Sequence, residues 1–180
     1  MRQRINIQDL LLAFAIGDAF GAGVEFQDRN WVRKNVDFTK LVNALKNIPA
    51  SKKLQQILIE NYREWDYTDD TEVTIGTMKA IVSGEAITAD SLVGFWKKEY
   101  ENGIERKGFP RCGHSSMRWF YSGEMSIEQV RNFQRNRPNP GNAPAMWAIP
   151  FGLIDVALIN EYVAINAVAT HPNLKAIQSS

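Results

Sequence analysis

The stretch Tyr67-Thr-Asp-Asp-Thr-Glu-Val-Thr-Ile-Gly-Thr-Met-Lys-Ala-Ile-Val-Ser-Gly84 decides between a helical and a mixed protein. Its second half, from Val73 to Val82, is rich in β-branched residues, which taken locally favour a strand. The spacing says otherwise. Val73, Thr77, Ala80 and Ile81 fall on one side of a helix, and Ser83-Gly84 closes the segment as a helix stop does. Thr68 suits an N-cap, and Asp69, Asp70 and Glu72 suit the positive end of the helix that follows.

Helical spacing recurs on both sides of this stretch. Ile7, Leu10, Leu11, Phe14 and Ala15 repeat at threes and fours, as do Leu54, Ile57, Leu58 and Tyr62. Further helices are predicted from about Thr88 to Tyr100, Ser115 to Tyr121 and Ser126 to Asn132. A longer one is predicted from Ala145 through Ala169, interrupted near Asn160, and another starts at Pro172. Period-two alternation is scarce, so the fold class is all-α. Two loops stand out by composition, Gly103 to Gly113 and Asn136 to Asn142. With no repeat, low-complexity tract or compositional break, residues 1–180 are expected to form a single domain.

Composition narrows the function classes. The chain has 180 residues, 44% of them hydrophobic and 23% charged, as an ordinary globular protein does. Its 21 basic and 20 acidic residues are interspersed, so neither a nucleic-acid partner nor an anionic membrane surface is expected. The apolar run Leu10 to Ile16 is broken by Gly17-Asp18 and is too short to cross a bilayer; it reads as a buried helix. Cys112 is the single cysteine and forms no internal disulfide, which fits a cytoplasmic location.

Four features can carry chemistry. In the first, Asp69 and Asp70 stand side by side between Thr68 and Thr71 with Glu72 following. Clustered carboxylates repel unless they are solvated, share a proton or bind a cation, and hard oxygen donors suit Mg²⁺, Mn²⁺ or Ca²⁺. Helix capping is the competing reading of the same residues. The second is Gly17-Asp-Ala-Phe-Gly-Ala-Gly-Val-Glu25, whose glycines permit close approach of backbone or ligand and whose Asp18 and Glu25 lie just past an apolar helix. It is no dinucleotide fingerprint, since no strand precedes it. The third is Asn139-Pro-Gly-Asn142, leading into a helix whose first N–H groups can receive a phosphate; a plain Pro-Gly turn capped by Asn142 is its alternative. The fourth is Thr170-His171-Pro172, where His171 either caps and packs or touches a ligand, and His114 poses the same choice.

Taken in order, Gly17 to Phe26, Tyr67 to Thr71, Gly141 to Met146 with Pro150 to Leu153, and Thr170-His171 with Ala176 and Ser179 resemble the ADP-ribosylglycohydrolase family. The resemblance runs from about Ile7 to the last residue. It implies an all-α orthogonal helical bundle with two Mg²⁺ or Mn²⁺ ions. The implied activity is hydrolysis of the glycosidic bond between ADP-ribose and a protein side chain or small-molecule acceptor. Carried over residue by residue, it makes Thr68, Asp69 and Asp70 metal ligands and Glu25 the carboxylate that acts on water or the leaving group, with Asp69 also at the catalytic centre. Asn139, Gly141 and Asn142 would line the phosphate loop, and His171 would approach the ribose or phosphate.

One element of the family pattern is missing. No Asp-x-Asp-Thr block follows, and no aspartate occurs after Asp155. Mg²⁺ takes about six oxygens, so the chain is expected to be the N-terminal portion of a longer hydrolase that needs further ligands for turnover. The alternative expectation is a non-catalytic relative that keeps the fold and binds ADP-ribose.

Overall fold

The computed structural model describes residues 6–22, 24, 27–35, 67–108, 111 and 113–180. Every regular element among them is helical. Glu25 and the helix expected around Leu54 to Tyr62 lie outside the described residues, as does Cys112. By contact density the chain divides into two units, Met1–Thr71 and Glu72–Ser180.

The first unit contributes α1 (Ile7–Ala22) and α2 (Arg29–Asn35). Asn6 caps α1 by accepting from the Gln8 N–H at 2.9 Å, and Asp28 caps α2 by accepting from Asn30 and Trp31 at 2.8 and 3.0 Å. The helix does not stop at Gly17-Asp18: α1 runs one more turn, so Asp18 lies within it rather than beyond it. Nor is α1 a buried helix. Of its residues only Ala19 is buried, while Leu12 and Ile16 are exposed.

The helix α3 (Asp69–Val82) confirms the reading of the deciding stretch. The division between units falls within it, after Thr71. Its β-branched residues are held helical by tertiary contacts: Val73, Thr74 and Thr77 are buried, and the Thr77 hydroxyl donates to the Val73 carbonyl at 3.0 Å. Thr77 Oγ1 also accepts the Trp96 indole N–H at 2.9 Å.

The rest of the second unit is α4 (Ala89–Lys107), α5 (Met117–Tyr121), α6 (Ile127–Arg135), α7 (Ala143–Trp147), a 3₁₀ turn (Ile149–Leu153), α8 (Ile159–Thr170) and α9 (Leu174–Ser179). A Thr88–Ser91 capping box opens α4, and Gly108, at φ 81°, ends it. The helix therefore outruns its predicted end at Tyr100 by two turns. A Ser126–Gln129 box opens α6 in the same way. The long helix expected from Ala145 is instead α7, the 3₁₀ turn and α8. Ile154 is extended, and the expected interruption falls at 154–158, just before Asn160. Pro172 does not start α9 either: Asn173 is its N-cap, accepting from the Lys175 N–H at 3.0 Å.

Within this unit α8 is central, packing against α4, α6, α7 and α9. Small buried residues, Ala167 and Ala169, let those neighbours come close. Asn166 donates to the Pro144 carbonyl at 2.8 Å, and Arg131 of α6 donates to the Ala169 carbonyl at 3.0 Å. Trp96 and Trp147, both essentially inaccessible, meet at 5.3 Å with planes tilted by 58°, in the same buried cluster as Phe151. No helix among the described residues is long and apolar enough to cross a membrane.

Candidate active site

In the first unit the two acidic motifs of the sequence meet. The Asp18 carboxylate, presented by α1, receives four hydrogen bonds from the two threonines that bracket Asp69-Asp70. Oδ1 accepts the Thr68 hydroxyl at 2.6 Å; Oδ2 accepts the Thr68 N–H at 2.9 Å, the Thr71 N–H at 3.1 Å and the Thr71 hydroxyl at 2.6 Å. Thr68 in turn accepts the Asp70 N–H at 3.4 Å. The start of a helix leaves several N–H groups without intrahelical partners, and here a distant aspartate and a local threonine supply them. Capping and site chemistry were competing readings of Thr68; its hydroxyl oxygen does cap, and it does so while held by Asp18.

Thr68 and Thr71 are buried, and Asp69 and Asp70 are partly buried. Two carboxylates and a hydroxyl on one helical turn are hard oxygen donors of the kind Mg²⁺ and Mn²⁺ take, though fewer than a full shell. Among the described residues no group of three or more His, Cys, Asp or Glu is placed to hold an ion. The donor set matches such a cation in kind.

Glu72, the third carboxylate of the cluster, is committed elsewhere. It is buried, with Oε1 2.8 Å from His114 Nε2 and Oε2 3.2 Å from Arg111 Nε. His114 is inaccessible and stands edge-on to Tyr100 and Tyr121, at 5.0 and 5.3 Å. Gly103 is glycine for this reason, since a Cβ there would collide with the Glu72 carboxylate. Sequence reasoning missed this buried group. The available signal was helical phase: Glu72 precedes the buried Gly76 by four residues, on the inward face of α3.

The second unit brings two of the other predicted residues, Gly141 and His171, together. The loop that carries Asn139, Gly141 and Asn142 is tied to the corner between α8 and α9. Asn173 Nδ2 donates to the carbonyls of Arg135 and Arg137 at 3.1 and 3.0 Å, and Lys175 donates to that of Pro138 at 2.9 Å. His171 lies against Gly141, where a Cβ would stand 3.6 Å from Nε2. Asn139 and Asn142 are exposed, and the Asn142 side chain caps nothing, reaching Met146 Sδ at 3.5 Å instead. His171 is 2% exposed, and its Nδ1 shares a hydrogen bond with the Thr170 hydroxyl at 2.7 Å. Burial, reinforced by the positive charge of Arg137, lowers its pKa to about 4, so the ring is neutral at pH 7.

A Cβ at Gly17 or Gly21 would meet nothing within 4 Å, so close packing against the described residues does not call for glycine there.

The family model of the ADP-ribosylglycohydrolases matches residues 2–180. The chain belongs to this family. No curated protein and no solved structure matches it. An all-α architecture is what an ADP-ribosylglycohydrolase should have, and membership carries a glycohydrolase type of function in general terms.

Proposed function

We propose that this ADP-ribosylglycohydrolase is a metal-dependent hydrolase of the cytoplasm, cleaving the glycosidic bond between ADP-ribose and a protein side chain or small-molecule acceptor. The observation that carries the reading is the Thr68-Asp69-Asp70 turn held by Asp18, within a chain that the family model spans from residue 2 to residue 180. Thr68, Asp69 and Asp70 would supply oxygens to Mg²⁺ or Mn²⁺, two ions in the complete site. Bound there, such ions would supply Lewis-acid polarisation of the ribose hydroxyls and the scissile centre.

The chain's own groups do the rest. Hydrolysis adds the water oxygen to the anomeric carbon and delivers a proton to the departing acceptor, and the Glu25 carboxylate is the group assigned to move that proton. Asp69 is assigned to the same catalytic centre by the family pattern. The family pattern assigns Asn139, Gly141 and Asn142 to the diphosphate and His171 to the ribose or phosphate; neutral at working pH, His171 would serve as a hydrogen-bond partner and not as a cation.

The test is release of ADP-ribose from a mono-ADP-ribosylated protein with Mg²⁺ or Mn²⁺ present. Asp70→Asn removes one anionic ligand and should lower turnover at least a hundredfold, in line with a transition-state interaction of about 3 kcal/mol or more. Undiminished turnover would reject the ligand role. The rival is a non-catalytic ADP-ribose-binding relative, consistent with the described residues holding no group of three or more His, Cys, Asp or Glu placed around an ion. Saturable binding of ADP-ribose with no release from any conjugate would establish it.

A further inference from the structure

Asp18 is drawn into the acidic turn though it is not among the residues assigned to the cation. A carboxylate has about four acceptor sites, and four donors already converge on this one. Three of the four fall on Oδ2 and one on Oδ1, and all come from Thr68 and Thr71, so Asp18 acts on the turn through these two residues.

The consequence for Thr68 is specific. A carboxylate cannot donate, so in the 2.6 Å contact the hydroxyl proton of Thr68 points at Asp18 Oδ1. A threonine hydroxyl normally rotates to suit its surroundings, and a proton aimed at an incoming cation opposes binding. With the proton fixed toward Asp18, the oxygen presents lone pairs elsewhere. One of these meets the Asp70 N–H at 3.4 Å. At the other end of the same turn, the N–H and hydroxyl of Thr71 are both anchored on Oδ2. Asp69 and Asp70 are therefore bracketed by two residues pinned to one carboxylate from a different helix, which restricts how the turn can shift or fray.

Resting on the cation reading above, we infer that Asp18 is a positioning residue: it orients the Thr68 hydroxyl as an oxygen donor and fixes the acidic turn for a divalent cation. The inference predicts dependence on geometry and not on charge alone. Asp18→Asn keeps the shape but replaces one acceptor oxygen with a donor that faces donors. Asp18→Glu keeps the charge but moves it by a methylene. Partners that orient metal ligands typically contribute about tenfold to a hundredfold in metal affinity.

The experiment is Mn²⁺ titration of the purified protein, following free Mn²⁺ by electron paramagnetic resonance, with circular dichroism to establish that each variant is folded. Wild type should bind, and both Asp18→Asn and Asp18→Glu should weaken binding by about tenfold or more. Thr71→Val, nearly isosteric and missing only one of the four donors, should weaken it by a smaller factor; it carries the test if the Asp18 variants do not fold. Wild-type affinity in folded Asp18→Asn, or in Thr71→Val if that variant alone folds, would overturn the inference and leave the cation reading standing. Full affinity in Asp18→Glu with loss in Asp18→Asn would also overturn it, reducing Asp18 to a nearby charge. Absence of Mn²⁺ binding by the wild type would instead remove the cation reading on which the inference stands.

Discussion

His171 shows how burial changes what a residue can do. Its folded pKa of about 4 lies below the ordinary value of 6.5, because desolvation and Arg137 both disfavour the imidazolium. Between these two values the unfolded chain binds a proton that the native state does not. Stability from this group is thus fully present above pH 6.5 and is lost as pH falls toward 4. By pH 5 the loss amounts to about 2 kcal/mol. His171→Gln should remove that slope, so the stability difference between variant and wild type, read by urea unfolding, should shift by about this amount from pH 7 to pH 5. A constant difference would mean that His171 titrates normally in the folded protein. Glu72 makes a complementary point: in the sequence it is one more acid in a row, and only the fold distinguishes it from Asp70 by turning it toward Arg111 and His114.

At the scale of elements, two glycines in neighbouring helices should respond oppositely to the same change. A Cβ at Gly76 of α3 would stand 2.9 Å from Trp96 Cδ1 and 3.3 Å from both the Phe95 carbonyl oxygen and Trp96 Cα. Two of those neighbours are backbone, and the third is an inaccessible indole whose N–H is bonded to Thr77. Gly76→Ala should lower stability by about 1–3 kcal/mol despite the better helix propensity of alanine. Gly94 of α4 is exposed with nothing within 4 Å of its Cβ position, so Gly94→Ala should raise stability by roughly 0.5–1 kcal/mol. Equal effects in chemical denaturation would mean that α3 and α4 do not approach as described. The existence of these helices was legible because caps and spacing are local: Ser83-Gly84 closing α3 is an example. Their ends were less so. α4 passes Gly103 because that glycine makes room for Glu72, and α9 starts one residue after Asn173 rather than at Pro172. Each boundary depends on a partner remote in sequence or on which of two adjacent residues takes the cap.

At the scale of the whole molecule, the acidic turn and its clamp were each visible in the sequence, but not as a pair. Asp18 and Thr68 are 50 residues apart, and nothing local distinguishes an aspartate that binds two threonines from one that faces solvent. The pairing makes the cation question one of global stability. A ligand that binds only the native state stabilises it by about 2.7 kcal/mol at a hundred times its dissociation constant. For a chain of this length, each kcal/mol raises Tm by about 2–4 °C, so saturating Mn²⁺ should raise Tm by roughly 5–10 °C over EDTA-treated protein. Asp70→Asn should abolish most of that increment. It should do so without a comparable fall in the Tm of the metal-free protein, because relieving repulsion between adjacent carboxylates offsets what the substitution disturbs. The two readouts separate a cation site from a cap. If the acidic turn serves α3 only as a favourable charge at its N-terminus, Mn²⁺ will leave Tm unchanged and Asp70→Asn will lower it in EDTA by about 0.3–1 kcal/mol equivalent.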